Sequence, residues 1–299
     1  MLKKLFKLFE PAPVASQTIA EQDHGIDSHD ISHGSYKTIE QLQRAGYEAY
    51  LVGGGVRDIL LNQQPKDFDI ATNARPEQVK RLFHNCRLIG RRFRLAHVYF
   101  RKEIMEVATF RGPHKGGNTE KAQSKDGLII RDNVFGSIEE DACRRDFTLN
   151  ALYYNPTDNT VLDYVGGIKD LKQKKINIIG DATIRYKEDP VRMLRALRFM
   201  SKLDFTFTRE TGEPIRKLNQ YISLTAPARL FDEILKAFHN GYALKNYYAL
   251  KDYQIFQRLF PALNALDDTQ KNQLEQLIVA TLKSTDKRIK DRKPVTPAF

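Results

Sequence analysis

Residues 51 to 70 read LVGGGVRDILLNQQPKDFDI, and no other stretch limits the possible folds of this chain as tightly. Leu51 and Val52, ending on Gly53, Gly54 and Gly55, predict a strand that stops at a tight turn. Val56 to Leu61 is then the short helix that follows. Such a turn aims backbone N–H groups and a helix N-terminus at one point, which suits a phosphate. A basic-acidic pair, Arg57 and Asp58, lies just after the glycines. Asp67 and Asp69 are expected on a second strand, where alternation would turn Phe68 and Ile70 one way and both aspartates the other. Two carboxylates on one face beside a phosphate cradle are what a pair of Mg2+ ions requires. Taken singly, Gly-Gly is a turn and Asp-Phe-Asp a solvated strand edge; their combination is harder to explain that way. Glu106, between Met105 and Val107 in KEIMEVATFR, is either a third carboxylate of the same site or a glutamate on a strand rim.

The 299 residues suffice for a full core and two domains. Hydrophobic residues make up 41%, with 17 Phe and 13 Tyr, which excludes a disordered chain. A net charge of +11 points to a polyanionic partner. Arg87, Arg91, Arg92, Arg94, Arg101 and Lys102 cluster around short strand-like runs, whereas Glu139, Glu140 and Asp141 make a local acidic patch. Beside a metal site, the basic cluster favours a nucleotide or nucleic acid over plain solubilisation. The two cysteines, Cys86 and Cys143, lack zinc spacing, so a reduced cytoplasmic compartment without disulfides is expected. No apolar run is long enough for stable membrane insertion. The opening MLKKLFKLF is too polar and short for a secretory core and reads as a tail.

Three regions are expected: a flexible N-terminal tail over 1–34, a mixed α/β head over 35–165, and a helical region over 166–299. In the head, Ser35 is the expected N-cap of a helix that Gly46 closes, and Pro76 opens another. Strands are expected around 87–89, 96–100 and 104–110, and a hairpin joins 152–154 to 161–163 across NPTDNT. Residues 112 to 127 read as a mobile loop. Helices are expected over 190–203, 227–239, 243–252 and 269–283.

Arg144, Arg145 and Asp146 precede FTLNALYYN. They form either a solvated corner or a pair of guanidinium forks for phosphate, with an aspartate to accept from ribose hydroxyls. Asp189 is the expected N-cap of the helix in EDPVRMLRALRF, with Pro190 first inside it and Arg192, Arg195 and Arg198 recurring every three residues. These arginines could be a solvated face. Alternatively, Asp189 and Arg192 have the donors and acceptors to read an adenine edge.

Together, LVGGGVRD, PKDFD, EVATFRG, RRDFTLNALYYN and EDPVRMLRALRF resemble the class II nucleotidyltransferases of the polymerase-β superfamily. That group contains bacterial poly(A) polymerases and CCA-adding tRNA nucleotidyltransferases. The resemblance extends from about Gly46 to at least Phe260. LIGRRFRLAHV, APARLFDEILK and the final PAF are similar to the poly(A) polymerase branch. The resemblance implies an α/β (α+β) nucleotidyltransferase head with a small mixed sheet, followed by an all-helical region truncated at its C-terminus. It implies AMP transfer from ATP to RNA 3′ ends, with Asp67 and Asp69 holding two Mg2+ ions and Glu106 assisting. Gly53, Gly54, Arg57 and Asp58 would meet the triphosphate, and Arg144, Arg145 and Asp146 the phosphate and ribose. Asp189 and Arg192 would select adenine, supported by Arg229 and Glu233. A CCA-adding enzyme would share these catalytic residues. A catalytically silent RNA-binding protein is the alternative of another class, and no protein partner can be named.

Overall fold

The computed structural model describes residues 16–90, 94–101, 103–112 and 134–297. The opening MLKKLFKLF, Arg91, Arg92, Lys102, most of the expected 112–127 loop and the last two residues of PAF lie outside the described residues. The chain divides into two units. The first runs to Gln173 and adds Asn177–Gly180; the second holds Lys174–Ile176 and everything from Asp181.

The first unit is built on an eight-stranded sheet. Its strands are β1 (Gln17–Ile19), β2 (Ala49–Val52), β3 (Asp69–Thr72), β4 (Cys86–Ile89), β5 (Leu95–Phe100), β6 (Glu103–Thr109), β7 (Leu152–Asn155) and β8 (Thr160–Asp163). They lie in the order β1-β8-β7-β2-β3-β6-β5-β4, larger than the small sheet expected. β3 and β6 run parallel, and the other neighbours are antiparallel. The apolar β2 is buried at three of its four positions, as a central strand covered on both sides must be.

Helix α1 (His33–Arg44) begins at Ser32 and not at Ser35: the Ser32 hydroxyl accepts from the Ser35 N–H at 3.1 Å. Ser35, fully buried, instead donates to the Met105 sulfur. Helix α2 (Gly54–Leu60) follows the glycine turn, and α3 (Pro76–Leu82) opens on its proline. Helix α4 (Ile138–Arg144) lays Ile138 and Ala142 on Val52, Ala71, Phe110 and Tyr153, covering one half of one sheet face. The expected acidic patch is its first turn. Ser137 and Glu140 close a capping box there, and Asp141 turns into the core.

Two expected boundaries move. Gln17–Ile19 pair with β8, and Ile26 and Ile31 are buried, so the sheet extends into the stretch expected to be a tail. At the other end, helix α5 (Gly167–Lys172) stays with the first unit, because the Thr148 hydroxyl donates to Asp170 at 2.6 Å. A single buried carboxylate shapes this corner. Asp163 accepts from the N–H groups of Val165, Gly166, Gly167 and Ile168 at 2.8 to 3.0 Å. Gly167 tolerates no side chain, since a Cβ would lie 2.3 Å from the Thr148 carbonyl. Asp163→Ala strands those buried donors, so its denaturant midpoint should reveal a loss of about 3 kcal/mol. Asp163→Asn, which keeps one acceptor oxygen, should lose less.

The second unit is helical: α6 (Ala182–Glu188), α7 (Val191–Leu203), α8 (Arg209–Leu218), α9 (Pro227–Phe238), α10 (Ala243–Asp252) and α11 (Asp268–Lys290). It is not purely so. β9 (Lys175–Ile176) pairs in parallel with β10 (Thr206–Phe207), a two-residue ladder too short for a periodic signal. Asp286 of α11 caps α10, accepting from the Ala243 and Leu244 N–H groups.

Candidate active site

The glycine turn ends β2 with Gly53 at φ +79°, a left-handed conformation that favours glycine. A Cβ placed on Gly53 would lie 3.5 Å from Asp69 Oδ2 and 3.7 Å from Arg145 Nη1. A backbone turn, a carboxylate and a guanidinium therefore meet at one point. Asp69 opens β3, and its register neighbour on the parallel strand β6 is Glu106, so these carboxylates share a face. Asp67 does not share that strand. β3 begins at Asp69, and Asp67 lies two residues ahead of it, exposed. It still bears on Asp69 through its charge.

Asp69's carboxyl is pushed up to about 6. Surrounding protein mass is the largest cause; the Glu106 carboxylate adds to it, Arg145 opposes it, and Asp67 adds again. Asp69 nonetheless keeps an edge exposed to solvent, where a cation can reach it. A cation placed there would relieve this repulsion, so the residues fit a divalent metal. Among the described residues, no three His, Cys, Asp or Glu side chains form a ready metal cage. Mg2+ does not need one, because it is commonly held by one or two carboxylates together with substrate phosphates and water.

Arg145 is positioned from below. Asp141 Oδ2 accepts from its Nε at 3.2 Å and its Nη2 at 3.1 Å, the Tyr153 hydroxyl lies 3.0 Å from Nε, and the guanidinium stacks over the Tyr153 ring. Tyr153 itself donates to Asp141 at 2.7 Å. Burial would favour a neutral Arg145, but Tyr153 and Asp141 outweigh it and raise its pKa further. Burial likewise raises the Tyr153 hydroxyl, which stays protonated. Asp141 and Tyr153 were not expected to take part. The signal for Asp141 was its four-residue spacing from Arg145 across the end of a helix. His97 was also missed: its buried Nε2 sits 3.4 Å from Glu106 Oε1, across β5 and β6.

The rest of the expected nucleotide set divides. Gly54 begins α2. Arg57 and Asp58 turn inward, contrary to a direct meeting with a triphosphate. The Arg57 guanidinium donates to Asp58 at 2.6 and 2.8 Å and to Asn150 at 2.7 Å, and both residues are buried. A guanidinium under a seven-residue helix satisfies its donors internally before it can reach outward. Arg144 donates to the Gly112 carbonyl at 2.7 Å, and Asp146 accepts from the Phe147 N–H at 2.8 Å.

In the second unit, Asp189 does not cap α7 with its side chain, although its carbonyl accepts from the Arg192 N–H at 3.1 Å. Its Oδ2 accepts from Arg229 at 2.9 Å, while its Oδ1 is buried without a hydrogen-bond partner. Arg192 is tied to α6 through the Arg185 carbonyl at 2.7 Å and Glu188 at 3.1 Å. Glu233, buried on α9, lies against Arg195 and Arg198 of α7 and Lys236 of its own helix. Arg229 and Glu233 thus each brace the start or flank of α7.

Residues 49–177 match the Poly A polymerase head domain, and residues 204–266 match the probable RNA and SrmB-binding site of polymerase A. The chain is 52% identical over 285 residues to Poly(A) polymerase I of Salmonella typhimurium, covering 94% of this chain and 61% of that protein. Similarity to the CCA-adding enzyme of Bacillus subtilis is lower, at 40% over 207 residues, covering 68% of this chain and 50% of that one. The crystal structure of the Bacillus stearothermophilus CCA-adding enzyme in complex with CTP superposes with a TM-score of 0.62 at 32% identity. That match covers 74% of this chain and 51% of the other. The chain thus spans about three fifths of the length of the poly(A) polymerases it matches. Among the described residues, no helix is long and apolar enough to cross a membrane. With head and RNA-binding segments both matched in order, the chain belongs to the poly(A) polymerase family of nucleotidyltransferases.

Proposed function

We propose that this chain transfers AMP from ATP to RNA 3′ ends without a template. The convergence of Gly53, Asp69 and Arg145 carries the reading. Asp67 and Asp69 would hold two Mg2+ ions, with Glu106 beside them. When bound, these ions supply activation of the RNA 3′-hydroxyl and neutralisation of the departing pyrophosphate. The chain's own residues do the positioning. Gly53, lacking a side chain, leaves room for a phosphate beside Asp69. Arg145, locked cationic by Asp141 and Tyr153, offers fixed donors to phosphate oxygens and needs no reorganisation as charge develops. Arg57 and Asp58 hold the turn from beneath, through Asn150. Arg144 and Asp146 flank Arg145 and would meet phosphate and ribose. In the second unit, we assign Asp189 and Arg192 to adenine. The Asp189 Oδ1 that lacks a partner is an acceptor suited to the N6 amino group. The greater identity and coverage of the poly(A) polymerases favours ATP over CTP.

The test is incubation of the chain with Mg2+ and either ATP or CTP, offering an oligo(A) primer and a tRNA lacking its CCA end. Long A tails on the primer without C addition are expected. Ordered C, C, A addition to the tRNA would place the chain with the CCA-adding enzymes. RNA binding without any incorporation would identify a silent binding module.

A further inference from the structure

We infer that the open face of β4, β5 and β6 is the platform for the last nucleotides of the RNA strand. The inference rests on the adenylyl-transfer reading above. Register fixes the face. Arg87 pairs with His97, His97 with Glu106, and Glu106 with Asp69, so one row runs from the sheet edge to the reactive carboxylates. Directly paired residues point to the same side of a sheet. The next row outward on that side pairs Tyr99 with Ile104.

α4 covers the half of this face that lies over β2, β3 and β7, through Val52, Ala71 and Tyr153. Among the described residues, no helix covers the half over β4 to β6: Ile104 is 50% exposed and Ile89 37%, with His97 largely buried between them and the carboxylates. The opposite side of the same strands is closed, with Ala96, Val98, Met105 and Val107 at 2% or less. Strands buried on one side only, with large apolar groups left out on the other, mark a binding surface.

The chemistry of the patch selects the occupant. The exposed Arg87 places its guanidinium carbon 5.7 Å from the Tyr99 ring centroid, a cation over an aromatic face. A cation for phosphate beside aromatic and aliphatic surface for bases is the pattern that binds single-stranded nucleic acid. The row leads to Asp69 and Glu106, where a 3′-hydroxyl must arrive. A protein partner would have no reason to end there. The net charge of +11 further favours a polyanion.

The test uses the whole chain carrying Tyr99→Leu or Arg87→Ala, both outside the carboxylate pair. Oligo(A) binding is read by fluorescence anisotropy across a salt series, and KM is measured separately for primer and ATP. Tyr99→Leu should raise primer Kd and KM about tenfold, leaving the KM for ATP unchanged. Arg87→Ala should reduce the salt slope of primer binding by about one, and Arg87→Lys should restore it. Primer Kd and KM within about twofold of the parent in both variants overturn the platform, as does an effect on ATP alone. If the parent binds primer and the variants weaken it, yet no nucleotide is incorporated, the platform stands and the reaction assignment fails. If the parent binds no oligo(A), the platform is wrong.

Discussion

Asp69→Asn is expected to abolish AMP incorporation, by about a thousandfold or more, while leaving the metal-free protein no less stable than its parent. A thousandfold is about 4 kcal/mol of lost transition-state stabilisation, the share expected if this carboxylate holds a metal ion at the reacting phosphate. The stability half follows from the raised pKa. Asp69 titrates at about 6 in the fold against an ordinary 3.8, so between those values the folded chain binds the proton more tightly than the unfolded one. Stability of the metal-free parent should therefore fall as pH rises through this window, and the penalty is fully present above it. Asparagine removes the charge, so thermal melts of parent and variant should diverge between about pH 4 and 6, the variant higher at pH 8. Protons also compete with metal. Below about pH 6, Mg2+ affinity of the parent should decline by up to tenfold per unit, measured by calorimetry. A variant that still extends primer would remove Asp69 from the metal site. A variant that melts far below its parent at pH 8 would mean the carboxylate has a structural partner that the fold does not reveal.

Asp141→Ala should harm both folding and nucleotide binding, because this carboxylate serves Arg145, Tyr153 and the Arg111 N–H together. Breaking a buried charge pair leaves the surviving ion short of partners, at a cost of about 3 kcal/mol here, the low end of the range because Arg145 keeps some contact with water. The same loss frees the guanidinium to swing away from Gly53. KM for ATP should rise about tenfold, with a smaller change in KM for primer. Asp141→Asn separates the two effects. It preserves the shape and one acceptor, so it should recover much of the stability while leaving Arg145 less firmly held. An Asp141→Ala variant with unchanged KM for ATP would show that Arg145 does not meet the nucleotide.

Local patterning made most elements legible. The strand-like runs at 96–100 and 104–110, the glycine stop after β2 and the proline opening α3 are all statements about neighbours in sequence, and they hold. Elements whose reason is remote were harder to read. Gln17–Ile19 carries no strand signal of its own and becomes a strand because β8 has a free edge to pair with. Residues 167–172 looked like the start of the helical region, yet Asp163 and Thr148 bind that helix to the first unit. The β9–β10 ladder is two residues long and leaves no period at all.

For the candidate site, the chemistry was legible and part of the geometry was not. The LVGGGVRD and PKDFD segments by themselves determined that a backbone turn and a carboxylate would lie close together, since fewer than twenty residues separate them. Which groups face the ligand was decided only by the tertiary structure. Arg57 and Asp58 share the motif with Gly53, but helical rotation buries them, and the Arg57 guanidinium donates to Asp58 and, more than ninety residues on, to Asn150. Arg145 comes from more than ninety residues away in the chain. It reaches Gly53 because Asp141 and Tyr153, on a helix and a strand that pack together, fix its fork. Glu106 joins Asp69 through the parallel register of β3 and β6. A sequence motif specifies which groups can react; long-range packing decides which are left facing outward, because burying a donor or a charge without a partner is costly.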